Sequence, residues 1–255
     1  MSSELAGRAE PRPEPSPEPK PQANAQTHSA PHPDSASEPN PGPGQGAAQP
    51  PARLLRVGRI MHGTIAEGPD RRTALWVQGC TIRCRGCINP ELFAPRGGTM
   101  MSPEQIVSGA LEAGDEGITL LGGEPLDQAE ALGELAAAAQ EAGLGIICFT
   151  GYSYEDIASR PEAAQLLSHT DLLVDGPYDQ NRPEQERTLV GSENQRFLHF
   201  SQRYAEVLPA QRAARGNRVE LRIAADGTVE MAGFLTDDGV KAWAQDLGAV
   251  RRKRA

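Results

Sequence analysis

The sequence lacks the features that several large classes of protein require. Its formal net charge is −9, so it has none of the basic excess that is typical of nucleic-acid binders. It has no apolar run of the length that a membrane-spanning helix needs, and its first residues lack the apolar stretch of a secretory signal. Four cysteines in 255 residues do not make a disulfide framework. We therefore expect a cytoplasmic protein that binds neither nucleic acid nor membrane.

Large apolar residues are almost missing from residues 1–52. This segment holds 13 of the 22 prolines, and Trp76 is the only aromatic residue before Phe93. A segment so poor in apolar side chains cannot offset the entropy lost on ordering, so we predict a disordered, proline-rich tail. The proline spacing also fits a ligand for proline-recognition domains, and the composition leaves both readings open.

From residue 53 to about residue 205, short apolar runs alternate with helix patterns. An opening strand or hairpin is predicted around Leu54–Met61, and four further strands are predicted at Thr73–Val77, Ile118–Leu121, Gly145–Thr150 and Asp171–Val174. Helices are predicted after the capping sequence Ser102–Gln105, over Leu126–Ala142 and around Tyr154–Ser159. This alternation is typical of parallel strands joined by crossover helices, and it predicts an α/β core over residues 53–205.

Residues 206–255 have a different pattern, which we assign to a C-terminal extension. Val219–Ile223 and Thr228–Met231 alternate in polarity around the turn residues Ala225–Gly227, which predicts a β-hairpin. A short helix is predicted from Thr236 to Leu247. The basic ending Arg251–Arg254 fits either a solvated tail or an address tag.

Three of the four cysteines are close together, at Cys80, Cys84 and Cys87, with the spacing C-x3-C-x2-C. Three thiolates can hold three irons of a [4Fe-4S] cluster and leave the fourth iron open to a substrate or a second cofactor. A structural zinc site or an electron-transfer cluster would need a fourth ligand. The spare Cys148 lies in an apolar strand pattern, where a cysteine behaves as a small buried hydrophobe. A catalytic cluster is therefore the reading that we favour.

Further motifs lie before and after the cysteine spacing, in a fixed order along the chain. They are Gly68–Thr73, Cys87–Glu91, Gly122–Pro125, Thr150–Glu155, Val174–Tyr178 and Gly191–Arg196. Together with the cysteine spacing, they resemble the radical S-adenosylmethionine (radical SAM) superfamily. Within it they are most similar to the activating enzymes of glycyl-radical enzymes, above all those of anaerobic ribonucleoside-triphosphate reductase. The sequence departs from the family at Gly86, where an aromatic residue is common, and at Val190, where arginine is usual.

The resemblance implies both a fold and a reaction. The fold is a partial (β/α)6 barrel of the radical SAM type, with about six parallel strands and the active loops at their carboxyl ends. The reaction is the reductive cleavage of SAM at a [4Fe-4S] cluster to methionine and a 5′-deoxyadenosyl radical. The implied partners are a glycyl-radical enzyme, such as anaerobic ribonucleotide reductase, and a flavodoxin or ferredoxin that donates the electron. A radical SAM enzyme acting on a small molecule or peptide, and a non-enzymatic metal-binding scaffold, remain as alternatives.

The resemblance also implies roles for individual residues. The cluster ligands are Cys80, Cys84 and Cys87, with no catalytic side chain beyond the cluster. The implied cofactor contacts are Gly86, Ile88, Gly122, Gly123, Glu124, Asn194 and Gln195.

For several of these residues the sequence also allows a purely structural role. Two glycines let the backbone approach a ligand, so we expect a side chain at Gly123 to intrude on the methionyl group of SAM. Glu124 is expected to meet the SAM ammonium, although a tight turn with Glu124 at a helix start is the structural alternative. Asn194 and Gln195 fit an adenine or ribose edge, or a polar turn. Tyr152 and Tyr154 fit a partner groove or core packing.

Overall fold

A computed structural model describes residues 53–208 and 218–234, together with the single residues 242 and 245. The predicted tail (1–52), the basic ending and all but those two residues of the predicted C-terminal helix lie outside the described residues. Within the described ranges, no helix is long and apolar enough to cross a membrane.

The described residues form one seven-stranded sheet and one separate hairpin. The strands are β1 (Leu55–Thr64), β2 (Arg72–Val77), β3 (Thr99–Met101), β4 (Gly117–Gly122), β5 (Gly145–Phe149), β6 (Leu172–Asp175), β7 (Arg196–His199), β8 (Val219–Ile223) and β9 (Val229–Gly233). The large sheet has the order β3-β1-β2-β4-β5-β6-β7, and β8 pairs with β9. The fold class is mixed α/β, as the sequence predicts, and the hairpin lies where the turn residues place it.

The number of parallel strands differs from the prediction of about six. In the described sheet, β2, β4, β5 and β6 run parallel, whereas β1, β3 and β7 are antiparallel to their neighbours. The reason lies in the connections, because a parallel pair needs a long crossover that is usually helical. Only seven residues join β1 to β2, and the chain from β6 to β7 contains no helix.

The helices are α1 (Pro103–Glu112), α2 (Ala129–Glu141), α3 (Tyr154–Ile157) and α4 (Ala164–Ser168), with 3-10 turns at Pro90–Leu92, Pro125–Gln128 and Pro161–Ala163. The predicted capping box is present: the Ser102 hydroxyl accepts from the Gln105 N–H at 3.3 Å, and the Gln105 side chain accepts from the Ser102 N–H at 2.9 Å. The predicted helix over Leu126–Ala142 begins with a 3-10 turn, and its α-helical part is α2.

The main apolar core lies between one face of the sheet and α1, α2 and α4. Alternate strand residues point into it, among them Leu75, Leu120 and Cys148, each fully buried. The residues between them point to the opposite face, which carries none of the helices α1–α4 and which we call the helix-free face. Loops and the C-terminal extension cover that face around Trp76, Val174 and Phe197.

Arg72 closes the end of the helix-free face at which the parallel strands begin. Its guanidinium is fully buried and donates to the Thr119 hydroxyl at 2.7 Å, to the Tyr204 hydroxyl at 2.9 Å and to three backbone carbonyls. A buried charge with this many partners is well compensated. The opposite end of the sheet, where the parallel strands finish, is therefore the one left for a site.

Candidate cluster and cofactor site

The three clustered cysteines lie in the loop that follows β2. Backbone hydrogen bonds close this loop on its own downstream residues, from the Gly79 N–H to the Leu92 carbonyl at 2.8 Å and from the Cys80 N–H to the Phe93 carbonyl at 3.3 Å. The Gln78 side chain adds a bond to the Ala94 carbonyl at 2.7 Å. The loop therefore lies at the carboxyl end of the first parallel strand.

The three thiols are half-buried, and each is approached by peptide N–H groups. The Arg83 N–H lies 3.4 Å from the Cys80 sulfur. Burial raises the pKa of all three thiols, and backbone N–H groups oppose that shift, from Arg83 at Cys80, from Tyr178 at Cys84 and from Asn89 at Cys87. The same N–H groups stabilise a thiolate once a metal replaces the proton.

These surroundings fit an iron–sulfur cluster better than a zinc ion. A structural zinc site takes four protein ligands. A fourth thiolate is not at hand, because Cys148 is fully buried in the core on the helix side of the sheet. Hydrogen bonds from the backbone to cysteine sulfurs are among the features with which proteins tune iron–sulfur clusters.

Gly122 and Gly123 bring the loop after β4 against the cysteine loop. The Gly123 N–H donates to the Val77 carbonyl at 2.9 Å, and the Glu124 N–H donates to the Gly79 carbonyl at 2.8 Å. A Cβ atom on Gly122 would lie 2.5 Å from the Cα of Trp76. One on Gly123 would lie 1.9 Å from the Gly79 carbonyl oxygen. A side chain at Gly123 would therefore meet the backbone of the cysteine loop, and its predicted intrusion on the methionyl group of SAM stays a prediction.

Glu124 is 2% exposed and braces two of the loops. Its carboxylate accepts from the Leu126 N–H at 2.9 Å, from the Thr150 hydroxyl at 2.7 Å and from the Gly151 N–H at 2.8 Å. Burial raises the pKa of this carboxyl to about 7, against the opposing effect of its three donors. The structure thus gives Glu124 a positioning role, and its predicted contact with the SAM ammonium stays a prediction.

A polar contact that sequence reasoning missed ties the cysteine loop down. The Asp127 carboxylate accepts from the Thr81 N–H at 2.8 Å and from the Thr81 hydroxyl at 2.7 Å. The Tyr152 hydroxyl lies 3.0 Å from the same Thr81 oxygen. Thr81 and Asp127 are 46 positions apart and share no motif spacing, so nothing in the sequence points to this contact. It holds the residue next to Cys80 against the loops after β4 and β5.

The side-chain amides of Asn194 and Gln195 make hydrogen bonds to the backbone near the end of β6. The Gln195 amide accepts from the Gly191 N–H at 2.8 Å and donates to the Gly176 carbonyl at 3.2 Å, so both of its ends are occupied. The Asn194 amide nitrogen donates to the Pro177 carbonyl at 2.7 Å. The Oδ1 of Asn194 is buried and has no hydrogen-bond partner within the described residues, which leaves one acceptor for a ligand.

The remaining predicted contacts, Gly86 and Ile88, flank Cys87. Ile88 is half-buried, and a Cβ atom on Gly86 would lie 2.6 Å from the Gln180 side-chain oxygen. Gly86 also has a φ of +78°, which favours glycine over the aromatic residue common in the family. The structure places both residues beside the third cysteine, and their contact with SAM stays a prediction.

Arg187 organises the last motif, although the sequence pattern did not single it out. It donates to the Gln195 carbonyl at 2.7 Å and to the Glu193 carbonyl at 3.0 Å, and it pairs with Glu184 at 2.6 Å. Val190, which stands where the family usually has arginine, is 1% exposed and packs in the apolar cluster on the helix-free face.

Comparison with known proteins agrees with this geometry. The family profile of the 4Fe-4S single cluster domain matches residues 66–198. The chain therefore belongs to this family of iron–sulfur proteins, and its recognition as a radical SAM protein of the activating-enzyme type is confirmed. The matched range runs from the loop before β2 to β7, and it includes all three clustered cysteines and the loops packed against them.

Among individual proteins, the chain is similar to two kinds of activating enzyme. It is 32% identical over 146 residues to the anaerobic ribonucleoside-triphosphate reductase-activating protein of Enterobacteria phage T4, which covers 54% of this chain and 90% of that protein. The corresponding protein of Pasteurella multocida is 28% identical, over 54% of this chain and 93% of its own length. The pyruvate formate-lyase-activating enzyme of Clostridium pasteurianum is 30% identical over 47% of this chain, which spans only 50% of that enzyme.

A solved structure with a similar arrangement is that of QueE from Escherichia coli. It covers 38% of this chain and 53% of its own, with 15% identity and a TM-score of 0.34.

Proposed function

We propose that the chain uses a [4Fe-4S] cluster to cleave SAM reductively and thereby generates a glycyl radical on a partner enzyme. Cys80, Cys84 and Cys87 would hold the cluster. When bound there, the cluster would supply the one electron needed to cleave SAM to methionine and a 5′-deoxyadenosyl radical, which can take a hydrogen atom from a glycine. The observation that carries this proposal is the three-cysteine loop at the carboxyl ends of parallel strands, in a chain that aligns with 90% of a reductase activator.

The chain's own residues would position these groups rather than move protons. Peptide N–H groups around each sulfur favour the thiolate form that a metal binds. Asp127, through Thr81, joins the cysteine loop to the loop after β4, and Glu124, through Thr150 and Gly151, joins that loop to the one after β5. SAM would lie among these loops, where Asn194 Oδ1 is an acceptor without a hydrogen-bond partner among the described residues and Glu124 directly follows the glycine pair in the sequence.

The proposal also covers the partner enzyme, the electron donor and the compartment. Two relatives that are covered over 90% and 93% of their own length are activating proteins of anaerobic ribonucleoside-triphosphate reductase, as their names state, so we propose that reductase as the partner. A flavodoxin or ferredoxin would supply the electron, and the protein would work in the cytoplasm. We also propose that the sheet is the open part of a half-barrel, with the bound cofactors at its carboxyl end.

The test is anaerobic reconstitution with iron and sulfide, followed by reduction and addition of SAM and the anaerobic reductase of the same organism. The expected result is one [4Fe-4S] cluster per chain, release of 5′-deoxyadenosine and a glycyl-radical signal in the electron paramagnetic resonance spectrum. One zinc and no sulfide would overturn the proposal in favour of a metal-binding scaffold. Cleavage of SAM without a radical on the reductase or on pyruvate formate-lyase would favour a small-molecule or peptide substrate instead.

A further inference from the structure

A closed circuit of hydrogen bonds runs through the three loops that follow β2, β4 and β5. The Glu124 carboxylate accepts from the Thr150 hydroxyl at 2.7 Å, and the Thr150 oxygen accepts from the Tyr152 N–H at 3.1 Å. The Tyr152 hydroxyl lies 3.0 Å from the Thr81 oxygen, and the Thr81 hydroxyl donates to the Asp127 carboxylate at 2.7 Å. The Asp127 N–H donates to the Glu124 carbonyl at 3.0 Å and closes the circuit. We call these five residues the polar circuit.

The part of the polar circuit next to the cysteines has a fixed direction. A hydroxyl carries one hydrogen, and Thr81 gives it to Asp127, so the Tyr152 hydroxyl is the donor to Thr81. The bonds therefore run from Tyr152 through Thr81 to a charged carboxylate, and bonds in such a chain strengthen one another. The Arg160 guanidinium lies 4.4 Å from the centroid of the Tyr152 ring and covers its face. Tyr152 is thus held at its backbone, its ring and its hydroxyl.

The turn from Cys80 to Cys84 contains a residue in an unfavourable backbone conformation. Arg83 has a φ of +53°, in the left-handed region that residues other than glycine rarely adopt. This conformation brings the Arg83 N–H to 3.4 Å from the Cys80 sulfur and the Arg83 Nε to 3.3 Å from the Cys80 carbonyl. A strained backbone of this kind persists only where its surroundings hold it. The polar circuit reaches the turn at Thr81, directly after the first cysteine.

We propose that Asp127 and Tyr152 are positioning residues, which hold the Cys80–Cys84 turn in its ligand geometry before a metal binds. This inference rests on the proposed function, because that function assigns the turn to a cluster. Asp127 is the stronger anchor, since its carboxylate accepts from the Thr81 N–H at 2.8 Å as well as from the hydroxyl.

The polar circuit offsets a cost that the metal would otherwise have to cover. In domains that fold only around a metal, the free energy of binding is used to order the ligand loop. A turn that is already fixed through Thr81 leaves more of that free energy for holding the metal. Loss of the circuit should therefore affect the cysteine turn in the cluster-free protein and the retention of iron in the loaded protein.

The first test is amide hydrogen exchange in the full-length protein without its cluster, kept reduced under anaerobic conditions. Thr81→Val removes the hydroxyl, so the amides of residues 80–84 should exchange about tenfold faster than in wild type. Asp127→Asn should have at least this effect, because its new NH2 group faces a donor. Tyr152→Phe should act in the same direction.

Two control variants separate the hydrogen bonds from general effects of substitution. Thr81→Ser keeps the hydroxyl and should keep the exchange rates of the wild-type protein. Glu130→Gln removes a carboxylate only three residues after Asp127, but Glu130 lies at the surface beside Arg53, at 3.4 Å. This variant should leave exchange in the cysteine turn unchanged.

The second test measures the loss of iron to a chelator after anaerobic reconstitution of the same variants. Iron should leave Thr81→Val and Asp127→Asn about tenfold faster than wild type, and Thr81→Ser should match wild type.

The possible results separate this inference from the proposed function. Unchanged exchange or unchanged iron loss in Thr81→Val and Asp127→Asn overturns the positioning role and leaves the proposed function standing. Equal acceleration in Thr81→Ser also overturns it, because packing and not the hydroxyl would then hold the turn. A wild-type protein that binds no cluster overturns the proposed function, while the exchange comparison still decides whether Asp127 and Tyr152 hold the turn.

Discussion

The Cβ position of Gly123 lies 1.9 Å from the carbonyl oxygen of Gly79, so the loop after β4 and the cysteine loop are in backbone contact. The Glu124 N–H donates to the same Gly79 oxygen at 2.8 Å, which leaves that oxygen no room to move away from the contact. The residue before Cys80 is therefore positioned by a neighbouring strand. The glycine pair therefore contacts the backbone of the cysteine loop directly.

We predict that Gly123→Ala lowers iron content, because the new methyl group must push the cysteine loop away. Overpacking of this kind typically costs about 1–3 kcal/mol. Iron and sulfide analysis after anaerobic reconstitution measures the effect. Gly143→Ala is the control, because it strains the backbone at a glycine whose φ is +84° while its Cβ would meet nothing within 4 Å. Full iron content in Gly123→Ala, with only SAM binding weakened, would instead support the predicted direct contact of Gly123 with SAM.

Cysteine replacement separates ligands from core residues. Cys84→Ala should lose the [4Fe-4S] signal, because three thiolates are the minimum for the proposed cluster. Cys148→Ala should keep it, since Cys148 is fully buried on the helix side and burial raises the pKa of its thiol strongly. Iron content and the electron paramagnetic resonance spectrum of the reduced protein measure both. A full cluster in Cys84→Ala, or loss of the cluster in Cys148→Ala, would contradict the ligand assignment.

Glu124→Gln tests whether the carboxylate binds SAM as well as bracing the loops. A charged hydrogen bond contributes about 1.5–3 kcal/mol, so SAM affinity should fall roughly tenfold to a hundredfold while iron content is kept. Thr150→Val is the control, because it removes one brace bond of 2.7 Å and leaves the carboxylate in place. SAM titration of the reduced cluster compares the two. An equal loss of affinity in both variants would mean that Glu124 acts only through loop position.

The sequence predicted the parts of the fold that depend on local pattern. The strand that ends at Val77, the capping box at Ser102 and the hairpin around Asp226 all follow from residue spacing within one element. The number of parallel strands was wrong, because strand direction depends on whether a connection is long enough to cross over.

The candidate site, too, could be predicted only where it depends on local pattern. The cysteine spacing is local and could be read directly. The bonds of Glu124 with Thr150 and Gly151 and the contact of Thr81 with Asp127 join residues 26 to 46 positions apart, and nothing in the composition of either segment indicates them. Gly123 was noticed for its flexibility. Its neighbour, the Gly79 carbonyl, is a backbone atom of another loop, which no side-chain pattern reveals.

Glu67 makes the stability of the folded chain depend on pH. Its carboxyl is 2% exposed, one oxygen accepts from the Gly233 N–H, and the other is buried without a hydrogen-bond partner among the described residues. Burial raises the pKa of this carboxyl to about 7. Its effect outweighs the Gly233 N–H and the charge of Arg59, which both lower the pKa. In the unfolded chain the pKa of a glutamate is about 4.3. Between these values the folded protein keeps a proton that the unfolded chain has released.

The sign of the effect follows from that difference in bound protons. The contribution of Glu67 is fully present below about pH 4 and is lost as the pH rises through about 7, because the folded state then has to bury a charge. Glu67→Gln stays neutral and can still accept from the Gly233 N–H. The free energy of unfolding of this variant, relative to wild type, should therefore rise by about 1–3 kcal/mol between about pH 5.5 and about pH 8.5.

Anaerobic urea unfolding at the two pH values measures this change. Glu104→Gln is the control, since Glu104 is near the surface and hydrogen bonding, chiefly with Ser102, lowers its pKa. Its difference from wild type should not move in the same direction. Glu124, whose pKa is also about 7, keeps part of the pH dependence in both variants, so the comparison is between variants and not with a flat profile. If Glu67→Gln differs from wild type by the same amount at both pH values, Glu67 titrates normally and its burial under the hairpin is wrong.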